Sequence, residues 1–145
     1  MRMHLITVGE PKLEYAKIGW DEYFGRLGRY HQLKVTRVRD SEPLQEGKAI
    51  LAAAKNAYLM PLDLGGKQFT SPELCQHLEH LALHGKSDIA LVIGSSTGLS
   101  LEVKQKANLL WSLSKLTFPH DLAMVMMLES LYRASTIARG EPYHK

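Results

Sequence analysis

Apolar runs alternate with amphipathic segments along this chain, and the alternation restricts its fold more than any other feature of the sequence. Short runs of apolar residues predict buried strands, whereas apolar residues at three- and four-residue spacing predict helices. The first pattern occurs in residues 3–8, 33–38, 58–64 and 89–93. Strands separated by helices pair in parallel through crossover connections. We therefore predict an α/β fold with a mainly parallel sheet and helices on both faces.

The helical segments end in one unusually apolar helix. We predict helices over residues 12–27, 44–56, 71–84, 100–110 and 121–138. Apolar side chains cover much of the last helix, namely Leu122, Met124, Val125, Met127, Leu128, Leu131 and Ile137. Such a helix needs more than one surface to bury it, and methionine-rich surfaces often serve as interfaces. We therefore predict a single domain, residues 1–145, that forms a homodimer.

Composition restricts the class of protein. A hydrophobic content of 45% excludes a disordered chain. No apolar run approaches the roughly 18 residues that a membrane helix needs, so we expect no membrane partner. The single cysteine, Cys75, fits a reducing cytoplasm, where we expect the protein. The net charge of +3 permits a nucleic-acid partner.

Two clusters of side chains have a functional and a plainer interpretation. The basic residues Arg26, Arg29, Lys34, Arg37 and Arg39 form either a phosphate-contacting patch or a solvated face, and we favour the solvated face. The imidazoles of His77, His80 and His84 have helical spacing. A zinc site also needs a supporting carboxylate, and the apolar stripe of this helix faces the core, so we predict no metal site.

The strand of residues 89–93 ends in a small-residue loop, Gly-Ser-Ser-Thr-Gly, before the next helix. Such a loop at the carboxyl end of a parallel sheet is a usual ligand site. It also matches G-x-S-x-G, the nucleophile motif of serine hydrolases, with Ser96 at its centre. Asp121 with His120 or His144 would supply the acid and base. Two observations argue against a serine hydrolase: the chain is short, and it lacks a glycine-rich oxyanion loop. We therefore keep the hydrolase only as an alternative.

Four motifs in order carry a resemblance that covers nearly the whole chain. They are L-D-x-x-G-K at residues 62–67, S-L-S-x-x-T-F-P-H at 112–120, E-x-L-Y-R-A at 129–134 and P-Y-H at 142–144. Together they resemble the RlmH family of SPOUT-superfamily methyltransferases, which methylate a pseudouridine in large-subunit ribosomal RNA. The resemblance implies S-adenosylmethionine-dependent methylation of ring nitrogen 3 of that base.

The resemblance also implies a C-terminal trefoil knot, a homodimer and a cofactor site made of three loops. The first loop contributes Leu62, and the second contributes Gly94, Ser95 and Gly98. The third contributes Ser114, Lys115, Leu116, Thr117, Phe118 and Pro119. Methyl transfer from a sulfonium needs no metal. The expected substrate is ribosomal RNA within the ribosome or its large subunit.

Four residues near the end of the chain are the catalytic candidates. Glu129 and Arg133 share a helix face, and the resemblance makes Arg133 the group that holds the base or a phosphate, with Glu129 orienting it. Tyr143 would stack on a splayed base, and His144 would act as general base or bind phosphate. The plainer alternatives are an intrahelical ion pair and a frayed terminus.

The chain departs from the family pattern at two places. The family usually has glycine where this chain has Ser95, and glycine permits close approach or positive φ. The chain is also shorter between Val38 and Leu51, where relatives have a more basic segment. A third alternative is therefore a non-catalytic RNA-binding module that has lost cofactor affinity through Ser95.

Overall fold

The computed structural model describes all 145 residues. Four strands and five helices alternate, in the order β1 (Arg2–Val8), α1 (Glu14–Leu27), β2 (Gln32–Val38), α2 (Pro43–Ala54), β3 (Tyr58–Lys67), α3 (Ser71–Leu83), β4 (Asp88–Ile93), α4 (Leu101–Lys106) and α5 (His120–Ala138). The strands form one sheet in the order β2-β1-β4-β3, and every pair is parallel. The predicted fold class, an α/β domain with a parallel sheet, is confirmed.

Both faces of the sheet are covered, as the apolar character of the central strands requires. Along β4, Ile89, Leu91 and Ile93 belong to one apolar cluster, which also contains residues of α1, α3 and α5. The alternate residues Ala90 and Val92 belong to a second cluster, with residues of α2 and α4. Successive side chains of a strand point to opposite faces, so the sheet separates two helical layers. None of the helices combines the length and hydropathy that crossing a bilayer requires.

The helix predicted over residues 100–110 is wrong at its C-terminal end, because α4 stops at Lys106. The chain then runs extended beside β3, and Asn108 binds Leu59 twice. Its amide donates to the Leu59 carbonyl at 2.8 Å, and its side-chain oxygen accepts from the Leu59 amide at 2.8 Å. Hydrogen bonds to a distant strand thus replace the local helical ones.

Strand β3 is longer than predicted because it continues through Gly65 and Gly66 to Lys67. Trp111 pairs in parallel with both Leu62 and Lys67, so β3 curves around residues 108–112. The Lys67 amide donates to the Leu110 carbonyl at 2.7 Å, and the Ser112 amide donates to the Lys67 carbonyl at 2.9 Å. The trefoil knot that the resemblance implies for this region stays a prediction.

Candidate active site

A cavity of about 390 Å³ opens at the carboxyl ends of β3 and β4. Its walls come from three separate segments, residues 62–64, residues 93–99 without Thr97 and residues 111–120 without Lys115, together with Ala123 of α5. Of the residues predicted to bind the cofactor, those that line it are Leu62, Gly94, Ser95, Gly98, Ser114, Leu116, Thr117, Phe118 and Pro119. Lys115 is exposed and does not line the cavity. The structure therefore brings the three predicted loops together.

The central loop, residues 94–98, accommodates serine at position 95. Gly98 has φ +86°, a conformation that favours glycine, whereas Ser95 has no positive φ. The Ser95 hydroxyl donates to Glu46 Oε1 at 3.0 Å and lies 2.8 Å from the Thr97 hydroxyl. The serine that replaces the glycine of the family pattern is therefore unstrained and has a specific partner on α2.

The third loop, residues 112–120, is fixed at both ends. The Ser112 hydroxyl donates to the Ser114 carbonyl at 2.9 Å, and the Ser114 hydroxyl accepts from the Leu116 amide at 3.1 Å. At the other end, Asp121 Oδ2 accepts from the Lys12 and Leu13 amides at 2.8 Å and 2.6 Å. These amides precede α1, whose N-cap residue supplies no capping side chain. Asp121 thus ties the end of the loop to the start of α1.

His120 contributes a polar atom that no protein group satisfies. His120 lines the cavity, and a Cβ built on Gly9 would be 4.0 Å from His120 Cε1. Its Nε2 is buried without a hydrogen-bond partner from the protein. Buried polar atoms in folded proteins are nearly always paired, so this nitrogen is an exception beside the cavity.

The four catalytic candidates form one cluster around Arg133. Its Nη2 donates to Glu129 Oε2 at 2.7 Å, and its guanidinium lies 4.7 Å from the centre of the Tyr143 ring. The Tyr143 hydroxyl donates to the same Glu129 oxygen at 2.9 Å. Burial, together with hydrogen bonds from this phenol, raises the pKa of Tyr143, so the phenol stays protonated. The tail is packed on α5 and is not a frayed terminus.

His144 completes the cluster. Arg133 Nη1 lies 3.2 Å from His144 Nδ1. A guanidinium can only donate, so Nδ1 is the acceptor in this contact. The hydrogen bond to Glu129 raises the pKa of Arg133, which keeps it charged. In this arrangement the basic lone pair of His144 is occupied by Arg133.

The cavity and the Arg133 cluster lie at opposite ends of α5. His120, at the start of the helix, lines the cavity. A helix rises about 1.5 Å per residue, so Arg133 lies about 20 Å further along its axis. Arg133 is not among the residues that line the cavity.

Comparisons with known proteins agree with the fold and the motifs. A family model described as "Predicted SPOUT methyltransferase" matches residues 1–144. The chain belongs to the SPOUT methyltransferase family. Proteins named "Ribosomal RNA large subunit methyltransferase H" from Deinococcus deserti and Deinococcus radiodurans are 54% and 52% identical to it over 145 residues. These alignments cover 100% of this chain in both cases, and 100% and 99% of the two relatives.

Solved structures support the fold of this SPOUT methyltransferase. A probable methylase family protein from Haemophilus influenzae has a TM-score of 0.60 at 13% identity, covering 99% of this chain and 70% of the other. A putative methylase family protein from Neisseria gonorrhoeae has a TM-score of 0.55 at 15% identity, covering 90% and 80%. At such low identity the likeness concerns the fold alone.

The geometry of this SPOUT methyltransferase does not favour the hydrolase alternative. The polar contacts of the central loop are made by Ser95, with Glu46 and Thr97, and Ser96 has no hydrogen bond to a histidine or a carboxylate. A serine nucleophile needs an adjacent base to activate it. Ser96 lines the cavity as part of the loop.

Arg26 and Arg37 of the basic cluster and His77 of the histidine cluster make local contacts. Arg26 pairs with Glu22 at 2.6 Å, and the Arg37 guanidinium lies 4.4 Å from the centre of the Trp20 ring. His77 packs on Tyr58 and Phe69, whereas His80 and His84 are exposed. No group of three or more potential ligands is placed to hold a metal ion.

Sequence reasoning missed several residues that line the cavity, including Asp63, Trp111, Ser112 and Ala123. Asp63 and Ser112 belong to recognised motifs and lie next to residues predicted to bind the cofactor, so their positions could have indicated that they line the cavity. Trp111 directly follows the helix predicted over residues 100–110 and belongs to none of the recognised motifs, and its pairing with β3 brings it to the cavity. Glu46, which holds Ser95, lies in a segment with no motif and gave no signal.

Proposed function

We propose that this chain is a cytoplasmic, homodimeric methyltransferase that uses S-adenosylmethionine to methylate nitrogen 3 of a pseudouridine in large-subunit ribosomal RNA. The observation that carries the proposal is the 54% identity, over the full length of both chains, to a protein named as a large-subunit ribosomal RNA methyltransferase. The choice of base and of ring nitrogen follows the motif resemblance. The cavity formed by the three predicted loops supports the cofactor.

The cavity suits an amphipathic ligand of the size of S-adenosylmethionine. Its volume of about 390 Å³ falls in the usual range for small-molecule sites. Leu62, Leu99 and Phe118 supply apolar walls, and the loops at Gly94 and Ser114 supply backbone polar groups. When bound, the cofactor supplies an electrophilic methyl group on sulfur, and the protein supplies position.

Methylation of an imide nitrogen requires that its proton leave. We assign Arg133 to a carbonyl oxygen of the base, where its charge stabilises the negative charge that develops on deprotonation. Moving Arg133 onto the base would break its 3.2 Å contact with His144. The Nδ1 lone pair is then free to accept the proton of the base nitrogen. Glu129 keeps the guanidinium oriented, and Tyr143 offers a ring on which the base can stack.

A second copy of the chain would bring the two halves of this site together. His120 of the cavity and Arg133 lie about 20 Å apart along α5, which favours a site completed by a second chain. Beside α5, the side chains of Leu13, Tyr15 and Ile18 are 56%, 51% and 61% exposed. Apolar residues grouped in this way mark interaction sites. In a symmetric dimer through this face, the Arg133 cluster of one protomer would complete the cavity of its partner.

Calorimetry with S-adenosylmethionine tests the cofactor assignment. We expect the wild-type protein to bind one molecule of S-adenosylmethionine per chain. In Thr117→Trp the affinity should fall at least tenfold. Thr117 is an exposed residue of the cavity wall, and a bulky ring there would fill the cavity. The control is Gln76→Trp, at an exposed position of α3, and it should bind the cofactor normally. Thr70 is also exposed and outside the cavity, but it caps α3, so tryptophan there would disturb the helix.

Methyl transfer to large ribosomal subunits that lack the modification then tests the substrate. We expect incorporation of one labelled methyl group, found on nitrogen 3 of a pseudouridine after nuclease digestion. Cofactor binding without transfer to any ribosomal RNA would instead support the non-catalytic alternative. Absence of cofactor binding, with covalent labelling of Ser96 by a fluorophosphonate, would support the hydrolase.

A further inference from the structure

Glu46 is a buried carboxylate in a part of the molecule to which the reaction assigns no role. It lies in the first turn of α2 and is only 2% exposed. Its Oε2 accepts from the Ser41 amide at 2.7 Å, and its Oε1 accepts from the Ser95 hydroxyl at 3.0 Å. Neither oxygen forms a salt bridge with a basic side chain.

Burial of a carboxylate without a cationic partner costs free energy, which the hydrogen bonds to its oxygens must offset. The two donors to Glu46 come from two different segments, the turn that precedes α2 and the central loop of the cavity. Ser95 lines the cavity and Glu46 does not. The carboxylate therefore stands directly behind the wall that the cofactor would touch.

The next residue on α2 contacts the other end of the same loop. A Cβ built on Gly47 would lie 2.2 Å from Ser100 Oγ and 3.0 Å from Ser100 Cβ. Ser100 is the N-cap of α4, and its hydroxyl accepts from the Val103 amide at 3.3 Å. Glycine at position 47 thus allows α2 to approach Ser100 closely. Two consecutive residues of α2 thus contact the loop at Ser95 and the start of α4 at Ser100.

We propose that Glu46 is a positioning residue for cofactor binding, which acts through Ser95 to hold residues 94–98 in the conformation that receives S-adenosylmethionine. It touches neither the cofactor nor the base. The inference rests on the proposed function, because it assumes that this cavity is the cofactor site. It predicts that the cofactor affinity depends on a hydrogen bond whose acceptor lies outside the cavity.

Glu46→Gln is the direct test, measured by calorimetry with S-adenosylmethionine and by steady-state methylation. The amide keeps the shape of the side chain but lacks the second acceptor oxygen and the charge. We expect the Kd and KM for the cofactor to rise about tenfold, the loss expected for one hydrogen bond to a charged group. The kcat at saturating cofactor should stay within about twofold of wild type. A purely structural role would lower the Tm and leave the Kd unchanged at temperatures well below it.

Glu42→Gln is the matched control, since Glu42 lies on the same segment, is exposed, and makes no capping hydrogen bond. It should leave the Kd at the wild-type value. Ser95→Ala removes the same hydrogen bond from the loop side and should weaken cofactor binding to a similar extent, which keeps the test valid if Glu46→Gln fails to fold. With Ser95→Ala already in place, Glu46→Gln should cost little further cofactor affinity, because Glu46 acts through the Ser95 hydroxyl.

The outcomes separate this inference from the proposed function. If the wild-type protein does not bind S-adenosylmethionine, the proposed function fails. If the wild type binds while Ser95→Ala and Glu46→Gln bind equally well, only the role of Glu46 is overturned. Additive losses in the double variant would also overturn it, because they would show that Glu46 does not act through Ser95.

Discussion

Gly66→Ala is expected to displace residues 108–112 from β3 and so to destroy the cofactor cavity. A Cβ built on Gly66 would lie 2.6 Å from the carbonyl carbon and oxygen of Leu110 and 2.8 Å from the amide nitrogen of Trp111. These are backbone atoms, held by the hydrogen bonds of Lys67 on either side, and they cannot move aside as a side chain would. We expect the free energy of unfolding to fall by about 3 kcal/mol or more, measured by urea denaturation.

Gly25→Ala provides the control for this substitution. Gly25 lies in α1, and nothing lies within 4 Å of a Cβ built there. Alanine at this position should stabilise the protein by about 0.5–1 kcal/mol, because glycine is a poor helix former. If Gly66→Ala unfolds at the wild-type urea concentration and binds cofactor normally, the packing of residues 108–112 against β3 is wrong.

Arg133→Ala is expected to abolish methyl transfer without weakening cofactor binding. Arg133 does not line the cavity, and its proposed partner is the base in the transition state, so we expect the loss in kcat/KM to exceed about 100-fold. Removal of residues 141–145, which carry Tyr143 and His144, should have a similar effect. Arg26→Ala is the control: Arg26 makes the same i,i+4 ion pair, with Glu22, and also lies over a tyrosine ring. It should retain nearly full activity.

A mixture of two inactive variants tests whether the partner supplies Arg133. Thr117→Trp blocks the cavity, and Arg133→Ala removes the base-binding group. In a mixed dimer one composite site contains both lesions and the other contains neither, so an equal mixture that exchanges subunits should recover about a quarter of the wild-type rate. No recovery after verified subunit exchange would show that each chain uses its own Arg133, which contradicts the shared site.

The motifs identified most of the cavity wall before its shape was known. Ser114 to Pro119 and Gly94 to Gly98 lie far apart in sequence, and each was recognisable as a loop next to a regular element. Lys115 shows where this reasoning fails, because it lies within a recognised motif yet faces solvent. A motif identifies a segment, whereas the side of the loop on which each residue falls depends on the backbone conformation.

The spacing of apolar residues and the positions of glycines in the sequence determined by themselves the strands, the parallel sheet and most helix boundaries. These features follow from local patterns. Only the tertiary structure decided that residues 107–110 leave the helical pattern and that residues 108–112 lie along β3, since a local pattern does not contain the hydrogen bonds that a distant strand makes. The same holds for Glu46, whose role depends on the contact between α2 and the central loop. Tertiary packing also brings the tail residues Tyr143 and His144 onto Arg133.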